Sequence, residues 1–134
     1  MEKGFDRIYG AISRRLLRTV DGIIDQRICG QSLVKYVPSV YRDDANGVGM
    51  TGSQSTSYVI LDRIFSHVSL TEEDSFLDVG CGKGRVLAFL LKEHAPCALY
   101  GVEINEISGS VAVEWTARYE QVSVKIGDAF NMDI

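Results

Sequence analysis

The N-terminal part of the chain alternates apolar and polar residues with a helical period. From residue 5 to about residue 28, apolar side chains recur every three or four positions, which predicts one amphipathic helix that stops at Gly30. The apolar stripe, which we expect to face the core, consists of Phe5, Ile8, Ile12, Leu16, Val20, Ile23, Ile24 and Ile28. The other faces carry Arg7, Arg14, Arg15, Arg18 and Asp25. The helix is therefore predicted either to pack with a solvated basic face or to act as a lid or a substrate-binding arm.

Turn-forming residues fill the next segment, from residue 36 to residue 57, and predict a long loop of the kind that is often functional. A second helix is predicted from about residue 55 to residue 67. Its candidate caps are Ser53, Ser55 and Thr56, and its expected inward side chains are Val59, Ile60, Ile64, Phe65 and Val68. The chain is accordingly divided into an N-terminal helix-and-loop extension, residues 1–52, and a second region, residues 53–134.

The second region alternates predicted strands and helices. Apolar runs predict strands at residues 76–79, 98–103 and 121–126, with helices between them at about 84–94 and 106–119. Pro96 stops the first of these helices, Asn105 caps the second, and the buried stripe of the second is Ile107, Val111, Trp115 and Tyr119. The order βαβαβ predicts half of a doubly wound parallel sheet, an α/β fold of the Rossmann-like kind.

Size, charge and cysteine content narrow the functional classes. The 134 residues suffice for one ordinary domain, and the net charge of −4 indicates no broad nucleic-acid-binding surface. Cys29, Cys81 and Cys97 are odd in number and widely spaced, so they predict neither a disulfide framework nor a metal site, and a reducing cytoplasm is the expected compartment. No apolar run reaches the roughly 18 residues of a membrane-spanning helix, so no membrane partner is expected.

A glycine-rich loop with Gly80, Gly82 and Gly84 stands between the first predicted strand of the second region and the helix that follows. Such a turn brings backbone N–H groups and a helix N-terminus close to a ligand. Asp78, two residues before the first glycine, would repel a pyrophosphate and attract a cationic or hydrogen-bond-donating ligand. Within the loop, Cys81 is interpreted as a small spacer rather than a nucleophile.

Two further acids follow at the ends of the next two predicted strands. Glu103 lies about 20 residues beyond the glycine loop, where a carboxylate can accept both hydroxyls of a ribose. Asp128 follows the third strand, where it can accept from an adenine amino group. Each acid alone has an ordinary explanation as a helix cap, a strand-end charge or a turn residue, whereas three acids along the carboxyl edge of one sheet indicate a ligand site. By contrast, Lys83 and Arg85 are interpreted as surface or packing residues.

The segment Phe76–Leu90, an apolar strand followed by Asp and Gly-x-Gly-x-Gly, resembles motif I of class I S-adenosylmethionine-dependent methyltransferases. Glu103 and the segment Gly127–Ala129 fall where that family has its ribose and adenine acids, so the resemblance covers about residues 53–130. It implies S-adenosyl-L-methionine as the cofactor, with contacts from Asp78, Gly80, Cys81, Gly82, Gly84, Glu103, Ile104, Asp128 and Ala129. In a subset of the family a helix before motif I covers the methionine end, which adds Thr56 and Tyr58 as candidate contacts.

The implied function is methyl transfer from S-adenosylmethionine to an unidentified acceptor. This chain would carry mainly the cofactor-binding half, and no residue is assigned as catalytic. A non-catalytic S-adenosylmethionine-binding fragment is one alternative. An NAD-dependent oxidoreductase is less favoured, because Arg85 replaces the third glycine of the pattern Gly-x-Gly-x-x-Gly. The cluster of Arg14, Arg15 and Arg18 leaves an anionic acceptor open.

The sequence resembles only the N-terminal part of such an enzyme. After residue 130 it shows neither the later strands nor the Asn/Asp-Pro-Pro-aromatic signature of amino-directed methyltransferases. The apolar strand at residues 76–79 is therefore expected to lie at the edge of the sheet, where it can pair with another chain. Self-association, strand exchange or poor solubility is the predicted result. Light scattering at several concentrations checks it, and a monomer at every concentration would contradict it.

Overall fold

A computed structural model of the protein describes residues 2–38, 42–43, 48–49 and 52–133. In chain order its elements are α1 (Glu2–Cys29), β1 (Arg42–Asp43), β2 (Val48–Gly49), α2 (Tyr58–Phe65), β3 (Ser75–Val79), α3 (Arg85–Lys92), β4 (Ala98–Glu103), α4 (Glu106–Thr116), β5 (Val122–Ile126) and a short 3-10 helix, Ala129–Asn131. The predicted order βαβαβ after an N-terminal helix is confirmed. Among the described helices, none has the length and apolar character that a membrane crossing requires.

The three longer strands form one parallel sheet in the order β3-β4-β5. Asp78 is in register with Gly101, and Glu103 is in register with Ile126. Because the strands are parallel, the segments that follow them meet at one edge of the sheet. The glycine loop, the turn into α4 and the turn after β5 are thereby brought side by side. The short β1 and β2 form a separate antiparallel pair.

The core lies where α3 and α4 pack against the central strand β4. Its fully or nearly fully buried side chains are Leu33, Leu61, Leu87, Ala88, Phe89, Leu90, Leu99 and Trp115. Two glycines permit close approach: a Cβ on Gly101 would lie 2.9 Å from Cys81 Sγ, and one on Gly109 would lie 2.8 Å from Ile126 Cγ1. The helices and the glycine loop are therefore seated directly on the strands.

The predicted long helix α1 is confirmed, and it ends at Gly30, whose φ is +72°. The prediction of which face it buries was correct at Ile24 and Ile28, which are partly buried against the core, and wrong from Ile12 to Ile23. The side chains of Phe5 and Ile8 lie outside what the structure describes. Its apolar stripe is largely exposed, with Ile12 and Leu16 61% and 63% accessible, whereas Asp25 is completely buried. The buried face is formed by Asp21, Asp25 and Cys29, and Val20 and Ile23 are exposed as well. The reason is a cation on another element, Arg85, to which the two acids are bound.

The carboxylate of Asp25 accepts four hydrogen bonds, two on each oxygen. Arg85 donates from Nε at 3.1 Å and from Nη2 at 2.6 Å. The Tyr58 hydroxyl donates at 2.9 Å and the Leu33 amide at 2.8 Å. A buried charge is tolerated only when it is paired and its remaining hydrogen-bonding capacity is filled, and both conditions hold here. Arg85 is thus a packing residue, as one of the two interpretations held, and it is not on the surface.

The second helix, α2, begins at Tyr58, later than predicted, and its expected caps were wrong. Its first turn is capped by a residue of another helix, because Asp21 Oδ1 accepts from the Tyr58 amide and the Ser57 hydroxyl, each at 3.1 Å. This contact turns Tyr58 and Leu61 inward, with Phe65 partly buried. The expected inward residues Val59, Ile60, Ile64 and Val68 are exposed.

In α4 the predicted cap is confirmed, since Asn105 Oδ1 accepts from the amides of Ile107 and Ser108 at 3.0 and 3.1 Å. The predicted stripe is correct at Trp115, which is fully buried, and wrong at Ile107, which is exposed. Near its start the helix packs on β5 with the side that carries Gly109. Ile107, two positions earlier, therefore points away from the sheet.

The Asp25–Arg85 pair gives the first prediction. Asp25→Ala leaves the Arg85 guanidinium buried without its main partner. It also leaves the Tyr58 hydroxyl and the Leu33 amide without a hydrogen-bond acceptor. We expect the free energy of unfolding in urea to fall by about 3–5 kcal/mol. The matched control is Glu93→Ala, which breaks the half-exposed Lys92–Glu93 pair and should cost less than about 1 kcal/mol. Equal losses in the two variants would contradict the assigned role of the buried pair.

Candidate cofactor site

The glycine loop is a tight turn fastened to the neighbouring strand. The amides of Gly80 and Cys81 both donate to the Val102 carbonyl, at 2.8 and 3.0 Å. Gly80, Gly82 and Gly84 have φ values of +80°, +56° and +87°, a region that residues with a Cβ rarely adopt. Gly84 is also the N-cap of α3. The sequence therefore needs glycine at these three positions to make the turn.

Glu103 links the loop to the end of the central strand. It is almost fully buried, its Oε2 accepts from the Gly82 amide at 2.6 Å, and its Oε1 accepts from the Asn105 amide at 2.8 Å. A carboxylate has about four acceptor positions, so two remain for a ligand. This supporting contact with Gly82 was not anticipated from the sequence, which gave Glu103 only a ligand-binding role.

Asp78 is half-buried at the end of β3, and two effects raise its pKa: burial first, then the nearby negative charge of Glu103. The same two acids act on Cys81. Burial, followed by the charges of Asp78 and Glu103, raises the pKa of the Cys81 thiol to about 12. The thiol is protonated at neutral pH, which agrees with the interpretation of Cys81 as a spacer. The field at Asp78 and Cys81 is therefore negative.

A cavity of about 180 Å³ opens between the glycine loop and the segment before α2. Its lining consists of Ser53, Gln54, Ser55, Thr56, Asp78, Gly80, Cys81, Gly82, Lys83, Arg85 and Val86. The structure thus brings together five residues that the sequence proposed: Asp78, Gly80, Cys81, Gly82 and Thr56. We name this cavity the cofactor cleft. Glu103 reaches its edge through Gly82.

The remaining proposed residues lie around the cleft or away from it. Ile104 is partly exposed at the turn into α4. Asp128 is half-buried and caps the 3-10 helix that begins at Ala129, accepting from the amide of Phe130 at 3.0 Å. The Gly127 amide donates to the Glu103 carbonyl at 2.9 Å, so the turn that carries Asp128 lies beside the end of β4.

The last two proposed residues, Gly84 and Tyr58, face the interior of the protein. Gly84 faces Trp115, since a Cβ there would lie 3.0 Å from the indole ring. Tyr58 is buried, and its hydroxyl is held by Asp25. Burial and the Asp25 carboxylate raise the pKa of Tyr58 well above its ordinary range, so it stays a neutral donor to Asp25. Its place in the structure is in the buried network beneath the cleft.

Arg85 holds the wall of the cleft and Lys83 anchors residues 33–35, and the sequence revealed neither role. Arg85 Nη1 donates to the carbonyls of Ser55 and Thr56, each at 3.3 Å. Lys83 is buried and its ammonium donates to the carbonyls of Leu33 and Lys35. The only sequence signal was the pair of acids spaced four apart in α1, which an apolar core would not contain without a cation.

Comparison with known proteins identifies the family of the chain. A family model described as "Histone methylation protein DOT1" matches residues 51–131, and the chain belongs to that family. No curated protein matches the chain significantly in sequence.

Among solved structures, a protein-L-isoaspartate O-methyltransferase superposes with a TM-score of 0.51 at 20% identity, over 72% of this chain and 30% of that one. Coclaurine N-methyltransferase, bound to N-methylheliamine and SAH, superposes with a TM-score of 0.49 at 18% identity, over 73% of this chain and 28% of that one. A putative S-adenosyl-L-methionine-dependent methyltransferase from Methanococcus maripaludis superposes with a TM-score of 0.48 at 19% identity, over 57% of this chain and 36% of that one.

The chain spans about a third of the length of these proteins. Its fold is that of class I S-adenosylmethionine-dependent methyltransferases, of which it covers a part. Membership of a methyltransferase family argues against the oxidoreductase alternative.

The raised pKa of Asp78 gives the second prediction. The folded protein keeps the Asp78 proton to higher pH than the unfolded chain, so stability falls as the pH rises from about 4 through the folded-state pKa. Asp78→Asn removes this loss, and we expect a higher free energy of unfolding than wild type at neutral pH, with a smaller difference near pH 4. Urea titrations at several pH values measure it.

Asp74→Asn is the control, because it is expected to change the stability at neutral pH in the opposite direction. Asp74 accepts from the Thr71 amide and hydroxyl, which lower the pKa of Asp74 and make its ionised form stabilising above pH 4. This variant should be less stable than wild type at neutral pH. If Asp78→Asn were also less stable there, the unfavourable burial of the Asp78 charge would be disproved.

Proposed function

We propose that this member of the DOT1 family binds S-adenosyl-L-methionine along the carboxyl edge of its sheet and takes part in methyl transfer. The observation that carries the proposal is the cofactor cleft itself. It combines Asp78, whose charge has no cationic partner among the described residues, with a loop whose glycines Gly80 and Gly82 leave the same space clear of side chains, although the amides of both already donate within the protein. S-Adenosylmethionine has a cationic sulfonium and an amino group, which suit a site of this charge.

Asp78 is proposed to face the methionine end of the cofactor. Its ionised form is disfavoured by burial and by Glu103, so a bound cation would relieve this unfavourable field. Thr56 lies on the opposite wall, on backbone that Arg85 holds. The methionine end would therefore sit between the loop and the Ser55–Thr56 backbone.

Glu103 is proposed to accept hydrogen bonds from the two ribose hydroxyls at its remaining acceptor positions. Its hydrogen bonds from the Gly82 and Asn105 amides are kept. Ile104, next to it and partly exposed, offers an apolar surface to the adenine ring. Asp128 and Ala129 are proposed at the adenine edge, where the Asp128 carboxylate can accept from the amino group in addition to its bond from Phe130.

The cofactor, when bound, supplies an activated methyl group. The residues of this chain would bind and orient it and exclude water around it, and positioning alone contributes strongly to such transfers. No catalytic residue is assigned. Cys81 is protonated at neutral pH, and acceptors that are already nucleophilic need no general base.

The acceptor is not identified. The family description names histones for the family as a whole, but the match covers residues 51–131, which contain the proposed cofactor site. A non-catalytic S-adenosylmethionine-binding role is a second candidate, favoured because no residue that lines the described cleft is assigned a catalytic role. Turnover by a longer chain would separate the two.

Self-association through β3 stays a prediction. Within the described residues β3 pairs only with β4, and Val79 is 61% exposed. Those observations support pairing of the free side of β3 with a further strand. The cytoplasm likewise stays an expectation based on the cysteines.

The third prediction tests the ribose assignment. Glu103→Gln keeps the size of the side chain but removes the charge and replaces one acceptor oxygen with an NH2 group, which would face the Gly82 or the Asn105 amide. Fewer and weaker acceptors then remain for two hydroxyls. We expect at least about a tenfold loss of affinity for S-adenosylhomocysteine in titration calorimetry, equivalent to about 1.4 kcal/mol. Wild type should show no comparable binding of NAD.

Glu114→Gln is the matched control, because Glu114 is exposed on α4 and does not line the cleft. It should bind S-adenosylhomocysteine as wild type does. An unchanged affinity of Glu103→Gln, with circular dichroism showing an intact fold, would overturn the assignment of Glu103.

A further inference from the structure

A second, larger cavity adjoins the cofactor cleft. It has a volume of about 660 Å³ and lies between α1 and the segment that leads into α2. It shares Gln54, Ser55, Thr56 and Arg85 with the cofactor cleft, so the two spaces have a common wall. We name this cavity the arginine groove, after the residues Arg14, Arg15 and Arg18 that line it.

The three arginines give the groove a positive rim in an acidic protein. Arg18 lies four positions after Arg14 and three after Arg15, so it neighbours both of them on the surface of α1. In the part of the chain that the structure describes, no carboxylate lies within salt-bridge distance of them. The acid in the groove lining, Asp21, is already bound to Arg85, Ser57 and the Tyr58 amide. The positive charge is therefore not compensated from within these residues.

The groove also has an apolar side. Leu17 and Ile60 line it and are 38% and 51% exposed, and Val34 contributes beside them. Its volume falls in the range of sites for small molecules, roughly 300–1,000 Å³. A surface that joins an apolar wall to planar guanidinium donors matches a molecule with an apolar body and an anionic group, since Arg binds carboxylate and phosphate with two parallel hydrogen bonds.

We propose that the arginine groove binds a small organic anion, with an apolar body and a carboxylate or phosphate group, and that this anion is the methyl acceptor. The identification as acceptor rests on the proposed function, because the shared wall at Ser55 and Thr56 places the groove next to the methionine end of the cofactor. Arg14 and Arg18 hold the anionic group, and Leu17 and Ile60 contact the apolar body.

The test uses phenyl phosphate and phenylacetate as probes, with benzyl alcohol as the neutral analogue, in titrations followed by protein NMR. The variant is Arg14→Gln/Arg18→Gln. The control is Arg27→Gln/Arg63→Gln, which removes the same charge from exposed positions that do not line the groove. Circular dichroism verifies the fold of both.

We expect at least one anionic probe to bind wild type and the control equally, and to bind the groove variant at least tenfold more weakly. Benzyl alcohol should bind weakly and alike to all three. Equal binding of the anionic probes to both double variants, or no binding of either probe to wild type, would overturn the proposal. A single-stranded oligonucleotide that binds more tightly than the probes, and loses affinity in the groove variant, would also overturn it.

S-Adenosylhomocysteine is titrated into the same samples so that the two proposals can fail separately. If S-adenosylhomocysteine binds and neither anionic probe does, the groove proposal fails and the cofactor site stands. If a probe binds through Arg14 and Arg18 while S-adenosylhomocysteine does not bind, the proposed function fails, and with it the identification of the anion as acceptor.

Discussion

A buried ion pair between Arg85 and Asp25 is the interaction on which the arrangement of this protein depends. Taking both charges out of water costs several kcal/mol for each ion, so the pair persists only because its hydrogen bonds are complete. Asp25 receives four donors, and Arg85 also holds two backbone carbonyls. Through this one contact α1, α2 and the first turn of α3 are fixed relative to each other.

That fixation has a direct consequence for the cofactor cleft. One wall is the glycine loop, which belongs to the sheet and is held by Glu103. The other wall, residues 53–56, is not part of the three-stranded sheet. It is held by Arg85 and by the bridge between Val37 and Ser53, whose amides and carbonyls pair at 3.0 and 2.7 Å. Two carboxylates, Glu103 and Asp25, thus position the two walls from opposite sides.

The features that depend on nearby residues were predictable from the sequence. The parallel strands, the stop at Gly30, the cap at Asn105 and the glycine loop each follow from residues a few positions apart, and all of them are present. The cluster of Asp78 with the loop also followed, because the carboxyl ends of parallel strands meet at one edge.

The predictions that failed concern contacts between residues that lie far apart in the sequence. The buried face of α1 is chosen by Arg85, 60 residues from Asp25, and the cap of α2 comes from Asp21, 37 residues before the amide that it receives. Hydrophobic periodicity favours the apolar stripe of α1, and no local rule indicates that two acids on another face would be preferred. Tyr58 was expected at the ligand from the family resemblance, and its hydrogen bond to Asp25 is not visible in the sequence.

The central claim is that the cofactor lies between the glycine loop and residues 53–56. Hydrogen exchange with and without S-adenosylhomocysteine tests it most directly, because another cavity of about 370 Å³, lined by Phe65, Leu70, Phe89 and Pro96 among others, offers a competing place. We expect exchange to slow in peptides covering residues 53–57 and 78–84. Slowing confined to peptides around residues 65–70 and 89–96, or no slowing at saturating ligand, would contradict the account.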